Sequence, residues 1–299
     1  MARTARRRDN REPATVRRRS LLLGTAAFGV SGALGAAGCS RVPSGDALAR
    51  LRSQGTVRLG IAGEVPYGYV DEQGAFTGEA PELAKAVFRR LGVDRVQPVA
   101  TDFGSLIPGL NSQQFDVVSA GMYIKEERCR QVLFSDPEYQ MLDSFVVRKG
   151  NPLGLRSYGD VVRERARLAT GAGYAQGAYA VAAGYPEEDL VILQDQVAGL
   201  NAVQSGRVDA FAATALTARQ LAAGRSRVES TAPFAAVVDG RRQVDGGGFA
   251  FRRTDRELRD AFNAEIHRMK RSGELFEIMR RFGFTRAEMT TLTAEELCR

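Results

Sequence analysis

From Thr56 to Thr214, short apolar runs ending near glycine alternate with amphipathic stretches, and this rhythm limits the fold more than any other feature of the chain. TVRLGIAG reads as a buried strand, PELAKAVFRRLG as a helix stopped by Gly92, RVQPVA as a strand, SLIPGLNSQQ as helical and FDVVSAG as a strand. Such alternation builds βαβ units, whose strands lie largely parallel with helices outside the sheet. Past a polar loop ending at Arg128, DSFVVRKG is a long strand leaving the first unit. The rhythm then resumes from about residue 150 to 245 in RLATGAG, QGAYAVAAG, LVILQD, AGLNAVQSG and VDAFAAT. GGGFAFRR gives a further apolar strand, and DRELRDAFNAEIHRMKRSGELFEIMRRFG a pair of helices that bring the chain back. The expected fold class is therefore α/β with two lobes: 56–147 as the first part of lobe 1, 148–246 as lobe 2, and 247–299 as the return to lobe 1 with a C-terminal tail. Two crossings make a hinge, and ligands of α/β proteins sit in clefts outside the carboxyl ends of strands.

Residues 1–38 read as an export leader and are left out of the fold argument. Arg17, Arg18 and Arg19 precede a weakly apolar run from Leu21 to Ala37, and Arg18-Arg19 followed by Ser20-Leu21-Leu22 looks like a twin-arginine signal. A membrane anchor is the alternative, but these 17 residues contain four Gly and fall short of a span of about 20 apolar residues. Ala36-Ala37-Gly38-Cys39 resembles a lipoprotein cleavage box, with Ala36 where Leu is usual, so Cys39 is the expected lipidation site and 39–55 a tether. The formal charge of +7 invites a nucleic-acid reading. The leader alone holds eight Arg against Asp9 and Glu12, however, which leaves 34 basic and 33 acidic residues from Cys39 onward. A nearly neutral mature chain gives no basic footprint for nucleic acid.

Catalytic and metal-binding constellations are missing from the sequence. The single histidine, His267, falls in an expected surface helix, and no Ser, Cys or Asp stands in a nucleophile motif. Gly246-Gly247-Gly248 precedes a strand, so it is no phosphate loop; hinge freedom or a plain turn is expected there. No cofactor or metal is expected.

Glu64 and Tyr67 in GEVPYGYV, Phe103 in DFGSLIPGL, and Tyr123 and Arg128 in SAGMYIKEER supply three aromatic faces, a carboxylate and a guanidinium. Rings that hold a cation beside an arginine that forks a carboxylate describe a pocket for a small zwitterion. Each residue also has a structural alternative. Tyr67 could cap a sheet, Phe103 could staple a helix start, and Arg128 could pair with Glu126 or Glu127 on the surface.

GEVPYGYVDEQGAFTGEAPELAKAVFRRLG, DFGSLIPGLNSQQFDVVSAGMYIKEERCRQVLFSDPEY, LNAVQSGRVDAF and SGELFEIMRRFGF together resemble the polar amino-acid-type solute-binding proteins of ABC transporters, over most of residues 55 to 285. The resemblance implies a type II periplasmic-binding-protein-like fold, Arg128 holding a ligand carboxylate, and an amine partner at Asp195, whose rival role is a helix N-cap ahead of VAGLNAV. Glu64, Tyr123 and Lys125 depart from the common pattern, which has an aromatic and two threonines there. These changes, with MYIKEERC, RKGNPLGLRSYGDV and EELC, are similar to the ectoine/hydroxyectoine-binding members of the family. That subgroup implies a cage of Tyr67, Phe103 and Tyr123, Glu64 facing the ring nitrogens, and Arg128 as carboxylate clamp. GAGYAQ departs from its Gly-rich loop ending in Thr, at Gly173, Tyr174 and Ala175. If Cys39 carries lipid, Cys129 and Cys298 are the pair left in an oxidising setting, matched in the subgroup, with two free thiols as the alternative. The implied function is an exported, monomeric, lipid-anchored binding protein that passes ectoine or hydroxyectoine to ABC permease subunits, with no enzyme activity, no nucleic-acid partner and no membrane contact besides the anchor. A polar amino-acid binder is the nearest alternative. A cyclohexadienyl dehydratase using Glu64 as its acid is a remote one.

Overall fold

The computed structural model describes residues 46–299. The leader with Arg18-Arg19, Cys39 and the tether as far as residue 45 lie outside the described residues.

Two mixed sheets organise the chain. In the first, Thr56–Ile61 runs parallel between Arg95–Ala100 and Val117–Tyr123, and Asp245–Phe251 adds antiparallel to Val117–Tyr123. Leu133–Phe134 and Tyr139–Met141 pair with Asp245–Phe251 on its other side. In the second, Leu168–Gly171 lies parallel between Val191–Leu193 and Ala210–Thr214, with Asp143–Arg148 antiparallel to Ala210–Thr214 and Val228–Ser230 on the edge. The parallel triples are the βαβ units expected from the sequence. The antiparallel members, Asp143–Arg148 and Asp245–Phe251, are the strands on which the chain passes between the lobes.

Helix Glu79–Arg90 covers the first sheet with Leu83, Ala84, Val87 and Phe88, spaced to share one face. Glu82 stands in its first turn and Arg89 and Arg90 in its last, matching the helix dipole. Helix Arg256–Ser272 buries Leu258, Phe262, Ile266 and Met269 and ends at Gly273 in the left-handed region (φ 82°). Phe262 meets Phe88 at 5.5 Å and Phe249 at 4.6 Å between ring centroids, which fastens the returning helix to lobe 1. Full burial of each such ring contributes roughly 1.5–3 kcal/mol.

Gly246, Gly247 and Gly248 lie inside the buried strand Asp245–Phe251, so they serve neither as a free hinge nor as a turn. A Cβ on Gly247 would stand 2.2 Å from the Tyr139 ring, and one on Gly246 2.8 Å from Pro137. The glycines permit close packing of the crossover. Cys129 and Cys298 form a disulfide, with Cα atoms 5.8 Å apart and 169 residues between them. It ties the C-terminal helix Ala294–Leu297 to the end of the short helix Glu126–Cys129.

Lobe 1 also buries two carboxyl groups that sequence reading passed over. Glu79 and Glu138 are 0% and 1% exposed, and none of their four oxygens has a hydrogen-bond partner. Burial first, and then the charge of Glu138, drives the Glu79 carboxyl far above its usual range; burial raises Glu138 to about 8, opposed in part by Lys270. Folded protein thus keeps protons that the unfolded chain releases near its ordinary carboxylate pKa. The stabilisation is full below about pH 4.5 and is lost as pH rises toward about 8. Urea midpoints are expected to fall between pH 5 and 8, and to fall less steeply in the Glu79→Gln/Glu138→Gln variant. An identical slope in the variant would assign the effect to other groups.

Candidate functional site

Five of the six residues singled out for ligand contact line one cavity: Glu64, Tyr67, Phe103, Tyr123 and Arg128. Volume alone would not have found it. A cavity of about 410 Å³ near Met141, Leu216 and Val244 contains none of the six. The one that does is narrow, about 20 Å³, room for about one water. A ring-sized solute therefore requires the lobes or their side chains to part.

Tyr67 anchors the floor. Gly121, at φ 60° in the strand Val117–Tyr123, leaves the space that its ring needs, since a Cβ there would lie 2.3 Å from Tyr67 Cδ1. The ring stacks on Tyr139 at 5.6 Å, and the Tyr139 hydroxyl donates to the Gly121 carbonyl at 2.8 Å. The Tyr67 hydroxyl crosses to lobe 2 and donates to Thr214 Oγ1 at 2.9 Å. Thr214 donates to Thr217 at 2.9 Å, and Thr217 returns to lobe 1, donating to Glu64 Oε1 at 2.7 Å. Glu64 is 5% exposed, and burial raises its carboxyl to about 7 against the lowering effect of its Thr217 and Tyr174 hydrogen bonds.

Arg128 is buried as well, and its guanidinium lies 5.5 Å from the Phe103 ring centroid. Nη1 donates to the Tyr123 carbonyl at 2.6 Å and Nη2 to the Gly173 carbonyl of lobe 2 at 2.9 Å. These bonds fix the plane of the guanidinium and leave other N–H groups for an acid. Burial lowers its pKa from the ordinary value, which weakens no charge at neutral pH. The Tyr123 hydroxyl is buried without a hydrogen-bond partner, the condition of a group that awaits a ligand.

Asp195 does not join them. Its carboxylate caps helix Gln196–Gln204, accepting from Ala198 N at 2.8 Å, as its N-cap alternative has it. Lys125 also stays out of the lining: it pairs with Asp245 at 2.7 Å and lies 4.7 Å from the Tyr179 ring centroid, and Tyr179 donates to the same carboxylate. Lobe 2 supplies Tyr174, Ala175, Gln176 and Thr214 to the cavity. Thr214 ends the strand Ala210–Thr214 and caps the next helix, a position that the strand-end rule marks. Gln176 carried no signal; its amide donates to Asp143 on the crossover at 2.7 Å. His267 is exposed and contacts Asp136 at 2.7 Å, away from the cavity. Among the described residues, no cluster of three or more His, Cys, Asp or Glu side chains is arranged to hold a metal ion.

The description "Bacterial extracellular solute-binding proteins, family 3" matches residues 57–285. The chain belongs to that family. It is 35% identical over 257 residues to a probable amino-acid ABC transporter periplasmic-binding protein, y4tE, of Sinorhizobium fredii (strain NBRC 101917 / NGR234), covering 84% of this chain and 85% of the relative. Among solved structures it is similar to EhuB in complex with hydroxyectoine (TM-score 0.77, 36% identity, 85% of this chain and 98% of that one). It also resembles the ancestral amino acid-binding protein AncCDT-1, a precursor of cyclohexadienyl dehydratase (TM-score 0.67, 27% identity, 79% and 98% covered). The protein is a solute-binding protein of the polar amino-acid type that serves ABC importers.

The Tyr67 hydroxyl is one of the groups that bridge the lobes. In the Tyr67→Phe variant the open form should gain about 1 kcal/mol, roughly fivefold in population. Small-angle scattering of solute-free protein should show a larger mean radius of gyration than wild type, and equal radii would remove this bond from the closure equilibrium.

Proposed function

We propose that the protein captures ectoine and 5-hydroxyectoine outside the cytoplasmic membrane, held there by lipid on Cys39, and delivers them to an ABC permease. The solute lies between lobe 1 (56–147 with 247–299) and lobe 2 (148–246). The supporting observation is the meeting of Tyr67, Phe103 and Tyr123 with one carboxyl, Glu64, and one guanidinium, Arg128, around a single cavity. A ring that carries a delocalised positive charge suits π faces, each worth roughly 0.5–2 kcal/mol, and its acid group suits Arg128, worth about 1.5–3 kcal/mol. An α-amino acid needs a carboxylate for its ammonium. Asp195 is engaged as a helix cap, which leaves Glu64 alone for that role.

One observation favours a second reading. A carboxyl with its pKa near 7, as in Glu64, is suited to protonate a leaving hydroxyl, as a dehydratase acid must. Incubation with prephenate or arogenate separates the two, and steady turnover would establish the enzyme.

Calorimetric titration of leaderless protein is expected to give micromolar ectoine binding, and Arg128→Ala to weaken it about 10- to 150-fold. Tight arginine or glutamine binding without ectoine binding would overturn the ligand and keep the family. A cationic ring beside Glu64 favours its carboxylate, so loading releases a proton. Affinity should fall as pH drops below about 7, and Glu64→Gln should abolish that dependence.

A further inference from the structure

Tyr174 stands in GAGYAQ, where the chain departs from a Gly-rich loop ending in Thr, and the geometry gives it a task of its own. Its ring meets Phe103 of lobe 1 edge-on, with centroids 5.1 Å apart and planes at 76°. The strand Leu168–Gly171 ends in a glycine that makes room for it, because a Cβ on Gly171 would lie 2.8 Å from the ring. Beside the ring the lobes meet backbone to backbone, since a Cβ on Gly173 would stand 2.8 Å from Gly104 Cα. Arg128 closes the same side through the Gly173 carbonyl. The opposite side is closed by the Tyr67–Thr214 and Thr217–Glu64 bonds.

We infer that Tyr174 is the lobe 2 wall of the solute cage and the residue that limits solute length, admitting a compact ring zwitterion and excluding an amino acid with an extended cationic side chain. This inference rests on the ectoine reading. The Tyr174 hydroxyl also faces the Glu64 carboxyl and lowers its pKa, so the wall and the counter-charge are influenced by one side chain.

The test compares wild type, Tyr174→Phe and Tyr174→Ala, each checked for folding by circular dichroism, in titrations with ectoine and with L-arginine. Tyr174→Ala should weaken ectoine about tenfold, the equivalent of about 1.4 kcal/mol, and gain measurable arginine binding. Tyr174→Phe should keep ectoine binding within about threefold. In solute-free Tyr174→Phe, carbon-13 NMR should find Glu64 titrating above its wild-type value, a change that a purely structural ring would not cause. Wild type that takes arginine in preference to ectoine overturns the solute reading. Wild type that takes ectoine, with a Tyr174→Ala variant equal to it for ectoine and still closed to arginine, overturns the role of Tyr174 alone.

Discussion

The relay from Tyr67 through Thr214 and Thr217 to Glu64 is the interaction on which the closed site depends. Each hydroxyl donates to the next acceptor, and the last acceptor is a buried carboxyl. Hydroxyls in series polarise one another, and in a dry cleft every unmade bond would cost about 1–3 kcal/mol. The relay passes from lobe 1 to lobe 2 and back, so opening breaks it at two places. Any group that displaces the relay must offer Glu64 and Tyr67 replacement hydrogen bonds.

Burial of carboxyl groups near the cleft is tolerated because Asp143 and Asp245 each have two side-chain partners. Lys125 and Tyr179 both reach Asp245, and Gln176 and Tyr158 both donate to Asp143, whose carboxyl burial and the Asp245 charge raise to about 7. Asp143 and Asp245 begin the two crossover strands. Gln176 of the cavity and the crossover strand at Asp143 therefore share a hydrogen bond.

The sequence made the βαβ rhythm, the return helix and the lobe 1 half of the site legible, because those residues sit in local patterns: an aromatic after Pro66, Phe103 before SLIPGL, Arg128 in a charged turn. Lobe 2 was less so. Tyr174 and Gln176 gain meaning only when the lobes meet, and no local spacing encodes a partner 70 residues away. Asp195 has two readings in the sequence, and its side chain takes the N-cap one: a short acidic side chain before a helix accepts from a backbone N–H three residues on. The glycines before Phe249 misled for a related reason. Their freedom suggests bending, whereas the Tyr139 ring requires their lack of a side chain.

Arg128 illustrates how a clamp on a very short helix can hold its place. Glu126–Cys129 has four residues, too few to be stable alone. Its neighbour Cys129 is bonded to Cys298, Lys125 on its other flank is bonded to Asp245, and the guanidinium itself bonds the Tyr123 carbonyl. A side chain fixed in this way has little rotamer freedom left to lose, and side-chain ordering otherwise costs about 0.5–1.5 kcal/mol for a residue of this kind. The C-terminal tail, bonded at Cys298, thus holds the segment from which Arg128 projects.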